Sequence, residues 1–214
     1  MNSFNFKKWN TILGWSTFMV ALITYSLTVE PTMSFWDCGE YIATSANLEV
    51  GHPPGASLFQ MLGAFFAMFA FSPDKIALMV NYLSVFSSAF TVLFMFWSLT
   101  ILLKKLIIGE KELSTNNGIM ILGSAAIATL SFTFTDSFWY NAVEAEVYSM
   151  ASLFIALLFW LGLKWEEEME SERGNKWLIL ISLVIELSFG VNFMTILNLL
   201  SIGILYVIKK KKNV

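Results

Sequence analysis

The sequence predicts an all-α, polytopic membrane protein. Three observations predict it. Hydrophobic residues make up 57% of the 214-residue chain, charged residues only 14%, and the mean hydropathy is +0.66; a soluble domain carries about 25% charged residues. The apolar residues gather in six long runs. All thirteen lysines and arginines fall in five short clusters between those runs, although the net charge is only −3. A lone cysteine, Cys38, excludes an internal disulfide. There is no Cys/His cluster with zinc spacing, no glycine-rich phosphate loop and no basic motif that supports nucleic-acid binding.

The runs are 10–29, 53–71, 76–103, 118–135, 147–164 and 177–208, to be compared with the roughly 20 residues that a span needs. Lys7 and Lys8 precede the first, which is longer than the core of a cleaved signal peptide and ends at Glu30-Pro31 without a small-residue cleavage site. It is predicted to be an uncleaved first span. Lysine placement threads the rest, because cytoplasmic loops carry the excess of cations. If 53–71 crossed, Lys104, Lys105, Lys111, Lys164, Arg173 and Lys176 would all face outward. If 53–71 lies in the outer interface, residues 30–75 form one external loop and only Lys75 is clearly outside. That segment begins with Pro53-Pro54-Gly55, contains Gly63 and ends at Ser72-Pro73-Asp74, which agrees with a non-crossing path.

The run 177–208 is too long for one upright span, since 32 residues rise about 48 Å against a core of roughly 30 Å. Gly190 and Asn192 interrupt it, so the expectation is a hairpin of 177–190 and 193–208, which returns Lys209–Lys212 to the inside. The predicted spans are therefore 10–29, 76–103, 118–135, 147–164, 177–190 and 193–208, in one transmembrane module over 1–214. Its external loops are 30–75 and 136–146. The charged stretch after residue 164 is expected to be a solvated helix extension.

This threading puts eight of the sixteen acids outside: Glu30, Asp37, Glu40, Glu49, Asp74, Asp136, Glu144 and Glu146. Ionisable groups at a membrane boundary are costly unless they pair, bind or react. Such an acidic, aromatic-rich pocket suits a general base, a metal, or a cationic or sugar-like substrate. Asp37 and Glu40 would share a helical face with Tyr41 and Thr44; alternatively Ser34 to Asp37 is a capping box in which Asp37 serves only the first turn. Trp36 and Tyr41 also read as interfacial anchors. His52 follows closely, and as a donor it could hold a phosphate oxygen. In the second loop Asp136, Tyr140 and Glu144 are four apart and would line one helical face. Glu144 and Glu146 diverge on a helix but converge in an irregular turn, where they could bind a divalent cation or orient an acceptor; an ordinary polar loop is the alternative. Glu186 is an acid inside an apolar helix, neutral or paired if it faces lipid.

Phe-Trp-Asp-Cys-Gly-Glu-Tyr-Ile-Ala at 35–43, Leu-Glu-Val-Gly-His-Pro-Pro-Gly-Ala at 48–56 and Asp-Ser-Phe-Trp-Tyr-Asn-Ala-Val-Glu-Ala-Glu-Val-Tyr at 136–148 resemble a multi-span family common in Bacteroidetes. That family was long a domain of unknown function. It is grouped with the GT-C glycosyltransferases and has an endoplasmic-reticulum protein O-mannosyltransferase as its animal relative. The resemblance runs nearly the whole chain. It implies a first external loop with a catalytic acid and two helices lying along the membrane. It further implies transfer of a mannose-like sugar from a polyprenyl-phosphate donor to a hydroxyl acceptor, protein Ser/Thr, on the non-cytoplasmic face. In a bacterium that is the periplasmic side of the inner membrane.

By the same resemblance Asp37 is the general base and Glu40 its support. His52 stabilises the departing lipid phosphate, and Glu144 and Glu146 help bind metal or acceptor. Surface aromatics such as Trp36, Tyr41 and Tyr140 can stack on sugar faces. No cofactor is assigned, a divalent cation being the one candidate, and the partners are the bilayer, the lipid-linked donor and an acceptor protein. Two departures stand out. Asn192 replaces a histidine common after Gly-Val in the family, and family members are usually several times longer, so the chain is expected to be the N-terminal part of a larger enzyme. The alternatives are a transporter, with Glu186, Asn192 and Asn198 marking a polar path, or a non-catalytic membrane subunit.

Overall fold

The computed structural model describes residues 4–53, 55–109, 111–171 and 174–193, with a few further positions up to 207. Every regular element among them is helical. α1 (Phe6–Thr28) starts where the Asn5 side chain accepts a hydrogen bond from the Lys8 amide, and it ends one residue before Glu30-Pro31. Its 23 residues rise about 34 Å, enough to cross a bilayer core. α2 (Cys38–Asn47) and α3 (Ser57–Ala67) occupy the long loop that follows. A 3₁₀ turn at Pro73–Lys75 leads into α4 (Ile76–Ile107). α5 (Thr115–Thr133), with Ser114 accepting from the Asn117 amide, is followed by the short α6 (Asp136–Ala142). α7 (Val147–Glu168) and α8 (Gly174–Phe189) complete the set.

Three of these stretches, Phe6–Thr28, Pro73–Ile107 and Val147–Glu168, are long and apolar enough to cross a membrane, and α5 with α6 makes a fourth if the bent pair is one span. The six spans expected are thus three or four among the described residues. α8, at 16 residues, rises about 24 Å, less than the roughly 30 Å core. Most of the expected 193–208 helix lies outside the described residues. The α3 stretch is 11 residues, about 16 Å long, too short to cross. The segment 136–146 is more ordered than a plain loop: α6 bends 68° away from α5, and an irregular turn over 143–146 precedes α7.

α4 is the axis of the bundle, packed between α1, α5 and α7. Its buried stripe is rich in small residues, among them Ser84, Ser87, Ser88, Ala89 and Thr91. In lipid, where apolar surface alone does not drive helices together, such residues let backbones approach closely. Gly14 of α1 is a close approach of this kind: a Cβ there would sit 2.5 Å from the Trp97 indole nitrogen. Outward faces are apolar, as lipid requires: Trp15, Met19, Ile23 and Leu27 of α1 are exposed. Below the long loop a second cluster joins Cys38, Tyr41 and Phe59 to Val80 and Leu83 of α4 and to Met150, Ala151 and Phe154 of α7. This cluster is the floor on which the polar loop residues rest.

Candidate functional site

Helix α2 begins at Cys38, so Asp37 takes the N-cap position, yet its side chain caps nothing. The capping-box alternative therefore does not form. Ser34, the residue that would have capped the helix, instead donates to the Glu144 carboxylate 110 residues away. Trp36 sits in the left-handed region (φ 62°) and is 88% exposed. A bulky residue held there is strained, and such strain gathers at functional turns.

His52 returns over α2 because the chain reverses twice. Leu48 ends the helix in a left-handed conformation, with its amide on the Thr44 and Ser45 carbonyls. The turn from His52 to Gly55 is then closed by the Gly55 amide donating to the His52 carbonyl (2.8 Å), with φ 78° at Gly55, a conformation that glycine adopts without a Cβ penalty. The His52 amide donates to Glu40 Oε1 (2.6 Å) and the ring Nδ1 lies 2.9 Å from Glu40 Oε2. Nε2 stands 4.0 Å from Asp37 Oδ2. These bonds hold the Glu40 carboxyl below its usual range and raise the His52 imidazole above its own. Asp37, Glu40 and His52 each offer one ligand atom, all within 4.8 Å of one another. Two hard oxygens and an imidazole nitrogen form a donor set that a divalent cation accepts.

The second-loop acids sit differently. Glu144 lies beyond α6, so it does not continue the face of Asp136 and Tyr140. The irregular turn, with the Glu146 amide donating to the Glu144 carbonyl (2.8 Å), brings the two acids into one electrostatic neighbourhood, and both are buried, at 4% and 6% exposure. Burial raises the Glu144 carboxyl, against the Ser34 bond that lowers it. Burial first, then the neighbouring charges of Glu144 and Asp37, pushes Glu146 up to about 7. Asp37 and His52 both act on Glu146 electrostatically. The Ser34–Glu144 hydrogen bond and this shared electrostatic field therefore link the two acidic motifs. Tyr41 is buried, edge-on to Phe59 at 5.4 Å and 6.1 Å from the His52 ring, and burial pushes its hydroxyl up to about 12. Tyr140 stays half-exposed on α6, and Glu186 is exposed on α8.

Asn81 is a site residue that the motifs did not single out. It is fully buried in α4 and its amide donates to the carbonyls of Glu30 (2.7 Å) and Thr32 (2.9 Å). The Cys38 thiol faces its carbonyl oxygen at 3.9 Å. The Glu30 amide in turn donates to the Val143 carbonyl (2.9 Å), so Asn81 anchors the place where the two loops meet. Its one sequence signal is an amide among apolar residues near the start of a span. Gln60, buried in α3, donates to Thr44 (3.0 Å) and ties α3 to α2.

Residues 37–214 match the family described as the protein O-mannosyl-transferase TMEM260 N-terminal domain. The chain belongs to this family. It is 32% identical over 162 residues to a protein O-mannosyl-transferase tmem260 of Dictyostelium discoideum, covering 74% of this chain and 18% of that protein. It is 26% identical over 162 residues to the Mus musculus protein O-mannosyl-transferase TMEM260, covering 75% of this chain and 20% of that protein. The chain thus spans about a fifth of the length of the curated relatives it matches. No solved structure matches it.

Proposed function

We propose that this chain is the catalytic N-terminal module of a GT-C-type membrane glycosyltransferase. In this reading it moves a mannose-like sugar from a polyprenyl-phosphate donor to a Ser or Thr hydroxyl of an acceptor protein, on the non-cytoplasmic face. The convergence of the two acidic motifs carries the reading: Ser34 bonded to Glu144, and Glu146 within the field of Asp37 and His52. Exposed apolar side chains, Met61 and Phe65 on α3 and Met68 at its C-cap, recur at helical spacing and support an interfacial seat for that helix beside the site.

In the proposed step the acceptor hydroxyl oxygen bonds to the anomeric carbon and the bond from that carbon to the phosphate oxygen breaks. The hydroxyl proton passes to Asp37, and the lipid phosphate leaves with the electron pair. Asp37 suits the base because its carboxylate is more than half exposed and does not cap α2. Glu40 holds His52 by Nδ1 and favours the imidazolium, which leaves Nε2–H to meet a phosphate oxygen. Glu146 and Glu144 line the acceptor side, and Trp36 offers a ring face to sugar. A divalent cation held by Asp37, Glu40 and a neutral His52 would be the alternative source of charge neutralisation at phosphate, in place of the imidazolium.

Asp37→Asn in the full-length enzyme, with expression preserved, is expected to lower mannosyl transfer to an acceptor peptide by about 10²–10⁴-fold, the usual worth of a positioned base. Unchanged transfer would remove Asp37 from that role.

A further inference from the structure

At the end of the bundle remote from the acidic site lies a cavity of about 510 Å³, between the start of α1, the last turns of α4 and the end of α7. Glu146 precedes α7 and Lys164 stands near its other end, a separation along the helix of about 27 Å, close to the thickness of a bilayer core. Three cations from three helices line the cavity: Lys7, Lys104 and Lys164. Lys164 is paired with Glu167 (2.6 Å), which also lines it. Lys7 and Lys104 make no ion pair among the described residues, and the Lys104 ammonium rests 5.9 Å from the Phe6 ring. The lining is therefore net positive by two.

The walls are apolar. Trp97 and Trp160 lie against each other at 5.7 Å and both line the cavity. Asn10 adds a further demand. Its Oδ1 is shut off from solvent and accepts no hydrogen bond among the described residues; a turn of the amide toward the cavity it lines would let a ligand hydroxyl supply the missing donor. Cations at the rim, indole walls below and an unfilled acceptor match an amphipathic anion that carries both a hydroxyl and a hydrocarbon chain. Basic pockets between membrane helices bind lipid head groups on these terms, and the volume lies within the range of small-ligand sites.

We propose that this cavity holds the phosphate and polyol head group of an anionic phospholipid from the leaflet at the lysine-rich end of the bundle. Lys7 and Lys104 would contact the phosphate and Asn10 would accept from a head-group hydroxyl. Such a lipid would clamp α1 to α4 and α7 at the end opposite the acidic loops. The inference is independent of the transferase reading, because its test follows lipid retention and not sugar transfer.

The test is native mass spectrometry of the full-length protein released from phosphatidylcholine nanodiscs with and without phosphatidylglycerol. Wild type is expected to retain phosphatidylglycerol in preference to phosphatidylcholine. Lys7→Gln/Lys104→Gln is expected to weaken that retention about 30-fold, from the loss of two lysine contacts, and Lys111→Gln, which does not line the cavity, to leave it unchanged. Displacement of the lipid by millimolar inorganic phosphate in wild type but not in the double variant would assign the same phosphate site to a soluble ligand. Equal retention of the two lipids by wild type overturns the proposal with no variant needed. Undiminished phosphatidylglycerol retention by the double variant overturns it as well.

Discussion

The two acidic motifs that meet at the site contain the same residue type and are tuned in opposite directions. Glu40 stands at the open side, bonded twice by His52, and is held below the usual carboxylate range. Glu146 is buried among like charges and keeps its proton up to about 7. The difference lies in partner and solvent, not in sequence: a histidine beside one, two carboxylates and a dry wall beside the other. Groups pushed apart in this way suit the proposed division of labour between proton transfer and charge stabilisation. In the proposed reaction the open side would fix the charge that faces phosphate, and the closed side holds a group pushed up to about 7.

Removing the cation from the open side is the strongest way to break the comparison. His52→Ala leaves Asp37 and Glu40 facing each other without a counter-charge and removes the donor proposed for the leaving phosphate. A loss of about 10²-fold in kcat is expected, similar to removing one donor to a developing anion, with a smaller change in acceptor KM. Transfer assays with the lipid-linked donor held saturating measure both, and an unaltered kcat would show that the leaving group does not depend on this side. The stabilising contribution of the pair has a defined window. Glu40, lowered in the fold, contributes above its ordinary pKa and loses the contribution as pH falls through its folded value. His52, raised in the fold, contributes below its ordinary pKa and loses it as pH rises through its own. The pair is therefore strongest between those limits, and the variant loses that plateau.

Neutralising the closed side sharpens the comparison, because activity and stability should move apart. The Glu146 carboxyl is raised in the fold, so the folded state holds more protons than the unfolded state between the ordinary carboxylate pKa and about 7. Stability falls as pH rises through that interval. Glu146→Gln keeps the shape and removes the charge, so the melting temperature at pH 8 rises relative to wild type while the values at pH 4 converge. With Glu146 acting ionised on the acceptor, wild-type kcat/KM rises through about pH 7. The variant loses this inflection and about tenfold in rate above it, on the scale of a misplaced acceptor. A variant that melts lower at pH 8 would show that the buried charge is compensated in the folded protein.

How far the sequence reached follows the same division. Three or four of the six expected membrane-crossing stretches were legible because lipid demands long apolar runs; lysine placement kept 53–71 out of the count, and its helix, Ser57–Ala67, is 11 residues long. Asp37, Glu40 and His52 were legible as a group because they lie within 16 residues and are joined by local turns. Glu144 and Glu146 could be named, but their burial could not, because it depends on the first loop folding down onto α4 and α7. Asn81 was not singled out, since one amide in an apolar helix is a weak signal until its two carbonyl partners are seen. Of the two readings open for Ser34 to Asp37, the capping box does not form: it is a short-range solution, and a buried carboxylate from the second loop takes the Ser34 hydroxyl instead.

That exchange of partners gives the smallest and most specific test. Ser34→Ala removes one donor to Glu144 and leaves Asp37, His52 and the helices in place. A buried carboxylate that loses a hydrogen bond is destabilised in its charged form, so Glu144 rises further toward neutrality. The expected cost is about 1–3 kcal/mol when Glu144 is ionised, and it shrinks below the ordinary carboxylate pKa, where Glu144 is protonated in folded and unfolded protein alike. Glu146, relieved of part of its neighbour's charge, should titrate lower than in wild type, and the pH–rate inflection assigned to it should move down. Thermal melts at pH 5 and pH 8, with a pH–rate profile, separate these effects. A Ser34→Ala protein whose inflection stays in place while its stability drops would show that Ser34 fastens the two loops without coupling their charges. The two halves of the site would then be tuned independently.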